Sequence, residues 1–181
     1  MRLESLETFE RDYRGVRQDR IEFGMAFDKE WNDLYSKPIV GKEGSIELPL
    51  PEGHKNWRKI NVAHTHPDEY GGTFSPVDIN AFRKHRPLST SAVANEGTYT
   101  LAPMHGKKTR WVDFQNAYNN EYVSSMETEL DRLDEICRKR GYPRTEEEDN
   151  RIRNQVTESM HSWLANSAKD YGFSYKFRKS E

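Results

Sequence analysis

The sequence predicts an α+β fold, a mixed β-sheet with flanking helices followed by a C-terminal helical hairpin. Three observations predict it. Short segments of period-two alternation fill the first hundred residues, as in Ile21-Glu22-Phe23-Gly24-Met25-Ala26-Phe27. A helix start, Ser75-Pro76, interrupts them right after an apolar segment that ends in two histidines. From Asp113 onward the apolar residues fall at helical spacing through charge-rich sequence.

The chain has 181 residues, enough for one domain with a helical appendage. Hydrophobic residues make up 34% and charged residues 32%, which implies a small core wrapped in solvated helix. Net charge is −2, so bulk charge does not call for nucleic acid. The single Cys137 excludes an internal disulfide and a cysteine-rich zinc site, and it suits a reducing cytoplasm. No apolar run reaches membrane-span length, and the charged start MRLESLETFERDY is unlike a signal peptide.

In chain order, residues 3–18 read as a helix, with Leu3, Leu6, Phe9 or Glu10, and Tyr13 near a 3.6-residue period. Residues 20–27 read as a strand, and the polar turn Asp28 to Asn32 joins it to a partner strand over Leu34 to Val40. Gly44 to Leu50 alternates as another strand, with Pro49 and Pro51 marking an edge or an end. Trp57 to Val62 reads as the strand that carries the histidines. Pro76 to Arg86 reads as a helix with Ser75 as N-cap, Ile79 and Phe82 as its buried stripe, and a basic end over Arg83 to Arg86. Ser89 to Ala94 and Thr98 to Met104 form a hairpin about Asn95-Glu96-Gly97, and Lys107 to Trp111 continues the sheet or leaves it. A long helix spans about Phe114 to Arg140 and stops at Gly141-Tyr142-Pro143. Thr145 with Glu148 is a capping box that opens a second helix, to about Asp170. Phe173 to Phe177 alternates as a last short strand. This divides the chain into a core over 1–112, a helical hairpin over 113–171 and a terminal strand and tail over 172–181.

The chemistry concentrates in His64-Thr65-His66-Pro67 and Ser75-Pro76-Val77-Asp78. Two imidazoles and a carboxylate make a metal set of the catalytic kind, three protein ligands with one open position. Spaced two apart, His64 and His66 share one face of a strand, and Asp78 in the first helical turn can aim back at them. Zn²⁺ is the expected ion, although two His and one carboxylate also suit iron or manganese. Taken singly, Ser75 is a good N-cap, Asp78 suits a helix N-terminus, and each histidine could be a loop residue. Together at this spacing they favour a metal site. The other histidines, His54, His85, His105 and His161, read as structural or solvent-facing, with His105 closest to a supporting role.

This pattern resembles the JAMM motif of the JAB/MPN metallopeptidases: an upstream Glu, His-x-His, a spacer, then Ser-x-x-Asp. The spacer here has eight residues, Pro67 to Phe74, against seven in the family pattern. The likeness covers roughly residues 20–105. It implies a JAB/MPN-like sheet and a zinc-dependent hydrolase that cleaves an amide or isopeptide bond through a metal-activated water. Its metal ligands would be His64, His66 and Asp78, and its catalytic residues Glu22 as general base and Ser75 as oxyanion donor. Glu22 lies on an early strand beside small Gly24 and Ala26; Glu47 and Glu43 are the competing carboxylates. The substrate would be a protein or peptide, with a ubiquitin-like or peptide tail in range. The chain is most similar to compact prokaryotic or phage-type members. The alternative is a phage or mobile-element interaction protein that uses the sheet as scaffold and the helical hairpin to hold a protein partner, without catalysis.

Overall fold

A computed structural model describes residues 4–14, 20–66 and 72–180. Its architecture is α+β, with a mixed six-stranded sheet in the order β2-β1-β3-β4-β5-β6 and four α-helices among the described residues. The strands are β1 (Ile21–Phe27), β2 (Ile39–Glu43), β3 (Asn61–Thr65), β4 (Ser89–Val93), β5 (Gly97–Pro103) and β6 (Phe173–Lys179). The helices are α1 (Glu4–Tyr13), α2 (Pro76–His85), α3 (Trp111–Arg140) and α4 (Glu146–Ser167). All neighbouring strands run antiparallel except β3 and β4, which α2 connects in a parallel crossover.

The alternation in the strands decides what each face carries. On β1, Phe23, Met25 and Phe27 face α1, joined by Ala63 of β3 and Val93 of β4, and covered by Leu6 and Phe9. Glu10 of α1 is buried and holds Arg178 of β6 at 2.6 Å through both carboxylate oxygens, fixing the helix to the far edge of the sheet. The opposite face carries Glu22, Gly24 and His64, and there α2, α3 and α4 pack. Ile79, Phe82, Leu101, Phe114, Met160 and Phe173 anchor that larger core, and each is at most 2% exposed. α3 and α4 run antiparallel on each other. Ser125 meets Ser159 at 3.1 Å, Arg132 donates to Gln155 at 2.8 Å, and Arg140 pairs with Glu148 where the helices are joined. Gly141 ends α3 at φ +80°, a left-handed cap that glycine adopts without strain.

Several expected elements are shifted. The first helix ends at Tyr13 among the described residues, and 15–19 lie outside them. The partner of β1 is Ile39–Glu43 rather than Leu34–Val40. The Asp28 carboxylate accepts from the backbone N–H groups of Glu30 and Asn32, which curls the chain and leaves 34–37 as bends before Pro38 can enter a strand. Gly44–Leu50 is not a strand. Pro49 cannot donate to a ladder, and Ile46 and Leu48 instead lie across Gly24, where a Cβ would stand 2.7 Å from each side chain. Trp57–Lys59 is a 3₁₀ turn rather than the start of β3, because the Asn56 side chain accepts from the Arg58 N–H and caps it. The histidine strand begins at Asn61. Lys107–Arg110 does not continue the sheet, and α3 begins at Trp111. The second long helix stops at Ser167 and tightens into a 3₁₀ turn over Ala168–Tyr171, while the last strand extends to Lys179.

Candidate metal centre

The site forms where β3 ends and α2 begins. Gly24 of β1 pairs with His64 of β3, so the antiparallel register sets Glu22 opposite His66. The Thr65 hydroxyl accepts from the Phe23 N–H at 2.9 Å, and the His66 N–H donates to the Val93 carbonyl at 2.9 Å. These bonds hold both histidines where the strand leaves the sheet. Asp78 arrives from the other side through a capping box. The Ser75 N–H and hydroxyl each donate to Asp78 Oδ2 at 2.7 Å, and Ser75 Oγ accepts from the Asp78 N–H at 3.3 Å. Pro76 at the first helical position presets the backbone for this turn.

The three side chains converge. His64 Nε2 lies 2.8 Å from His66 Nε2 and 3.1 Å from Asp78 Oδ1, and His66 Nε2 lies 3.3 Å from Asp78 Oδ2. One ligand atom from each falls within 4.8 Å of the others. Two donors each about 2.0–2.1 Å from a tetrahedral zinc stand about 3.3 Å apart. The observed separations fit that edge with small side-chain adjustment, and the nitrogen and oxygen donor set is one zinc accepts. Two imidazole nitrogens aimed at each other beside a carboxylate give a cation three convergent lone pairs.

Both histidines are buried, at 6% and 9% exposure. The neighbouring imidazoles hold the Asp78 carboxyl well below its ordinary value, against the opposing effect of its own burial. Burial raises the Glu22 carboxyl, the two histidines partly offset this, and the Asp78 charge adds to it. Glu22, His66, Ser75 and Asp78 open on one cavity of about 310 Å³. Of the competing carboxylates, Glu47 is exposed and lines a neighbouring cavity with His64 and Asp78, and Glu43 is exposed on β2 beside Arg20. The space beside Gly24 is taken by Ile46 and Leu48. The Ser75 hydroxyl is committed to Asp78 rather than standing free in the cavity. His105 is exposed in the turn after β5. Pro67–Gly71, most of the His-to-Ser spacer, lies outside the described residues.

Sequence reasoning missed the far wall of the cavity. Tyr122 and Met126 of α3 and Arg153, Val156, Thr157 and Met160 of α4 form it. It also missed Tyr118, which is fully buried and donates its hydroxyl to the carbonyl of Phe74, the residue before Ser75. A tyrosine in an otherwise apolar helical stripe was the available signal, because a buried phenol needs a partner.

Comparison with family models, curated proteins and solved structures finds no match to this chain. No described helix is long and apolar enough to cross a membrane.

Proposed function

We propose that the protein is a zinc-dependent hydrolase of the JAMM type, on a JAB/MPN-like core, cleaving an amide or isopeptide bond in a protein or peptide. The observation that carries this reading is the convergence of His64, His66 and Asp78 in the cavity that also holds the buried carboxyl of Glu22. His64 Nε2, His66 Nε2 and Asp78 Oδ1 would hold the ion. A divalent zinc bound there would activate water for attack on a carbonyl.

The chain's own residues supply the rest. Glu22 is buried, and its raised pKa lets a carboxylate oxygen hold a proton closer to neutral pH than an exposed Glu would. It is the group placed to take a proton and return it to a leaving amine. Ser75 orients Asp78 in the present arrangement, and its hydroxyl reaches the cavity only by exchanging that bond. The α3–α4 wall excludes bulk water from one side. A non-catalytic scaffold leaves the burial of Glu22 beside this ligand set without a purpose.

Mass-spectrometric metal analysis of protein purified without chelator or nickel resin tests the reading. The expected result is about one zinc per chain, lost in His64→Ala/His66→Ala. A mixed peptide library should be cut by the wild type, and Glu22→Gln should keep its zinc while cleavage falls by about 10²–10⁴-fold. A chain that takes up no zinc even when the metal is added would end the proposal.

A further inference from the structure

A second cavity, of about 230 Å³, adjoins the candidate centre and is lined in part by His64 and Asp78. It runs outward past Trp57, Lys84 and His85 into a groove lined by the same three residues. That groove carries five cationic side chains, Lys55, Arg58, Arg83, Lys84 and Arg86, and no acidic one. They come from two unrelated stretches, the 3₁₀ turn and its approach on one side and the end of α2 on the other.

None of the five pairs with a carboxylate among the described residues. Elsewhere about half of the described Lys and Arg side chains pair with a carboxylate, as where Arg132, Arg138, Arg140 and Arg144 each meet a Glu or Asp of α3 or α4; the groove differs in gathering five unpaired cations in one place. Arg83 Nη2 reaches only Asn80, at 3.5 Å, and its Nε is buried without a hydrogen-bond partner among the described residues. Arg86 lies over the Trp111 ring at 5.7 Å, a contact that leaves its charge uncompensated. The net charge of the whole chain is −2, so this is a local concentration of positive charge on a weakly acidic protein.

We infer that this groove binds an acidic segment of the polypeptide substrate, flanking the bond presented to the candidate centre. The inference rests on the hydrolase reading for the word substrate, but the surface stands on its own charge. Complementarity selects an anionic occupant, and Trp57 at the junction gives an aromatic face to the adjoining residues. Continuity with the cavity selects a polypeptide over a nucleic acid. A nucleic acid carries a charge at every residue. Leaving the groove inward it would meet Glu47 and Asp78, then Glu22, and beyond them helices in which acidic residues outnumber basic ones. A polypeptide can put its carboxylates on the groove and neutral residues across the centre.

The test is fluorescence anisotropy on the full chain with a short fluorescein-labelled Glu-rich peptide, its Gln-for-Glu counterpart, and a single-stranded DNA of equal charge. The Glu-rich peptide should bind, weaken steeply with salt, and bind about tenfold more tightly than the Gln peptide. Lys84→Glu/Arg86→Glu should lose about tenfold in affinity, and so should Lys55→Glu/Arg58→Glu on the other wall, so misfolding of one element does not decide the outcome. His64→Ala/His66→Ala should bind the peptide as the wild type does, which separates this surface from the fate of the hydrolase reading. Equal binding of the Glu and Gln peptides, unchanged binding in both charge-reversed variants, or tighter binding of the DNA would each overturn the inference.

Discussion

Replacing Ser75 by alanine separates two roles that one hydroxyl performs. The hydroxyl accepts from the Asp78 N–H at 3.3 Å, a long capping bond, and donates to Asp78 Oδ2 at 2.7 Å. Loss of a weak cap costs about 0.5–1 kcal/mol. Loss of a hydrogen bond to a charged carboxylate costs about 1.5–3 kcal/mol where the site is dry, and Asp78 is only 18% exposed. Together they give about 2–4 kcal/mol, which for a domain of this size lowers Tm by about 4–16 °C. The Asp78 carboxylate keeps the Ser75 N–H at 2.7 Å but loses the hydroxyl that orients it. Removing such a supporting bond weakens metal affinity by about 10–100-fold. Calorimetry of the metal-free protein and zinc competition against a chromophoric chelator read the two effects separately. Ser75→Gly should recover most of the cap, since glycine costs only a few tenths of a kcal/mol there, yet bind zinc as weakly as Ser75→Ala. Ser75→Thr should restore both. A Ser75→Ala protein that loses stability while its zinc affinity is unchanged would refute the reasoning and leave Ser75 a helix cap alone.

Three other outcomes follow from contacts already described. Tyr118→Phe keeps the ring and removes the donor to the buried Phe74 carbonyl, so urea unfolding should report a loss of about 1–3 kcal/mol. Glu22 has a folded-state pKa above its ordinary 4.5, so the folded chain binds that proton more tightly than the unfolded one; its relative contribution is best below 4.5 and declines as pH rises. Metal-free Glu22→Gln should therefore be more stable than the wild type at neutral pH, with the difference closing below pH 4.5 in thermal melts. Glu148 is the reverse case: Arg140 and the Thr145 backbone lower it to about 2, so its stabilising effect is present above 4.5 and fades as pH falls from 4.5 toward about 2. The Tm gap between wild type and Glu148→Gln should shrink over that range, and a gap independent of pH would contradict the pairing.

Much of the fold was legible because periodicity reports faces directly. β1, α2 with its Ser75 cap, the β4–β5 hairpin, α3, α4 and β6 all lie within a few residues of where alternation and capping place them. The misses have local causes. Gly44–Leu50 alternates as well as a strand does, but Pro49 and the packing of Ile46 and Leu48 over Gly24 make it a strap across the sheet. Trp57–Lys59 has strand composition, and a single Asn56 side chain turns it into a 3₁₀ turn. In the first, packing and a missing backbone donor overrode a pattern that propensity alone supports, and in the second a local hydrogen bond did. At the site, the spacing of His64, His66, Ser75 and Asp78 was enough to suggest the group that the folded chain brings together. The cavity wall was not, since helical periodicity tells which stripe of α3 and α4 is apolar and says nothing about what that stripe covers.

The residues that would perform chemistry lie between Glu22 and Asp78, while the wall facing them comes from Tyr122 to Met160. On the hydrolase reading, reactivity and selectivity would be written in separate stretches of the chain, joined through the apolar core they share and the hydrogen bond from Tyr118 to the carbonyl of Phe74. Substitutions along α3 and α4 can reshape what the cleft admits while the ligand set stays as it is. Exchange of that helical pair between otherwise similar chains would be a short route to new preferences, provided the tyrosine travels with it.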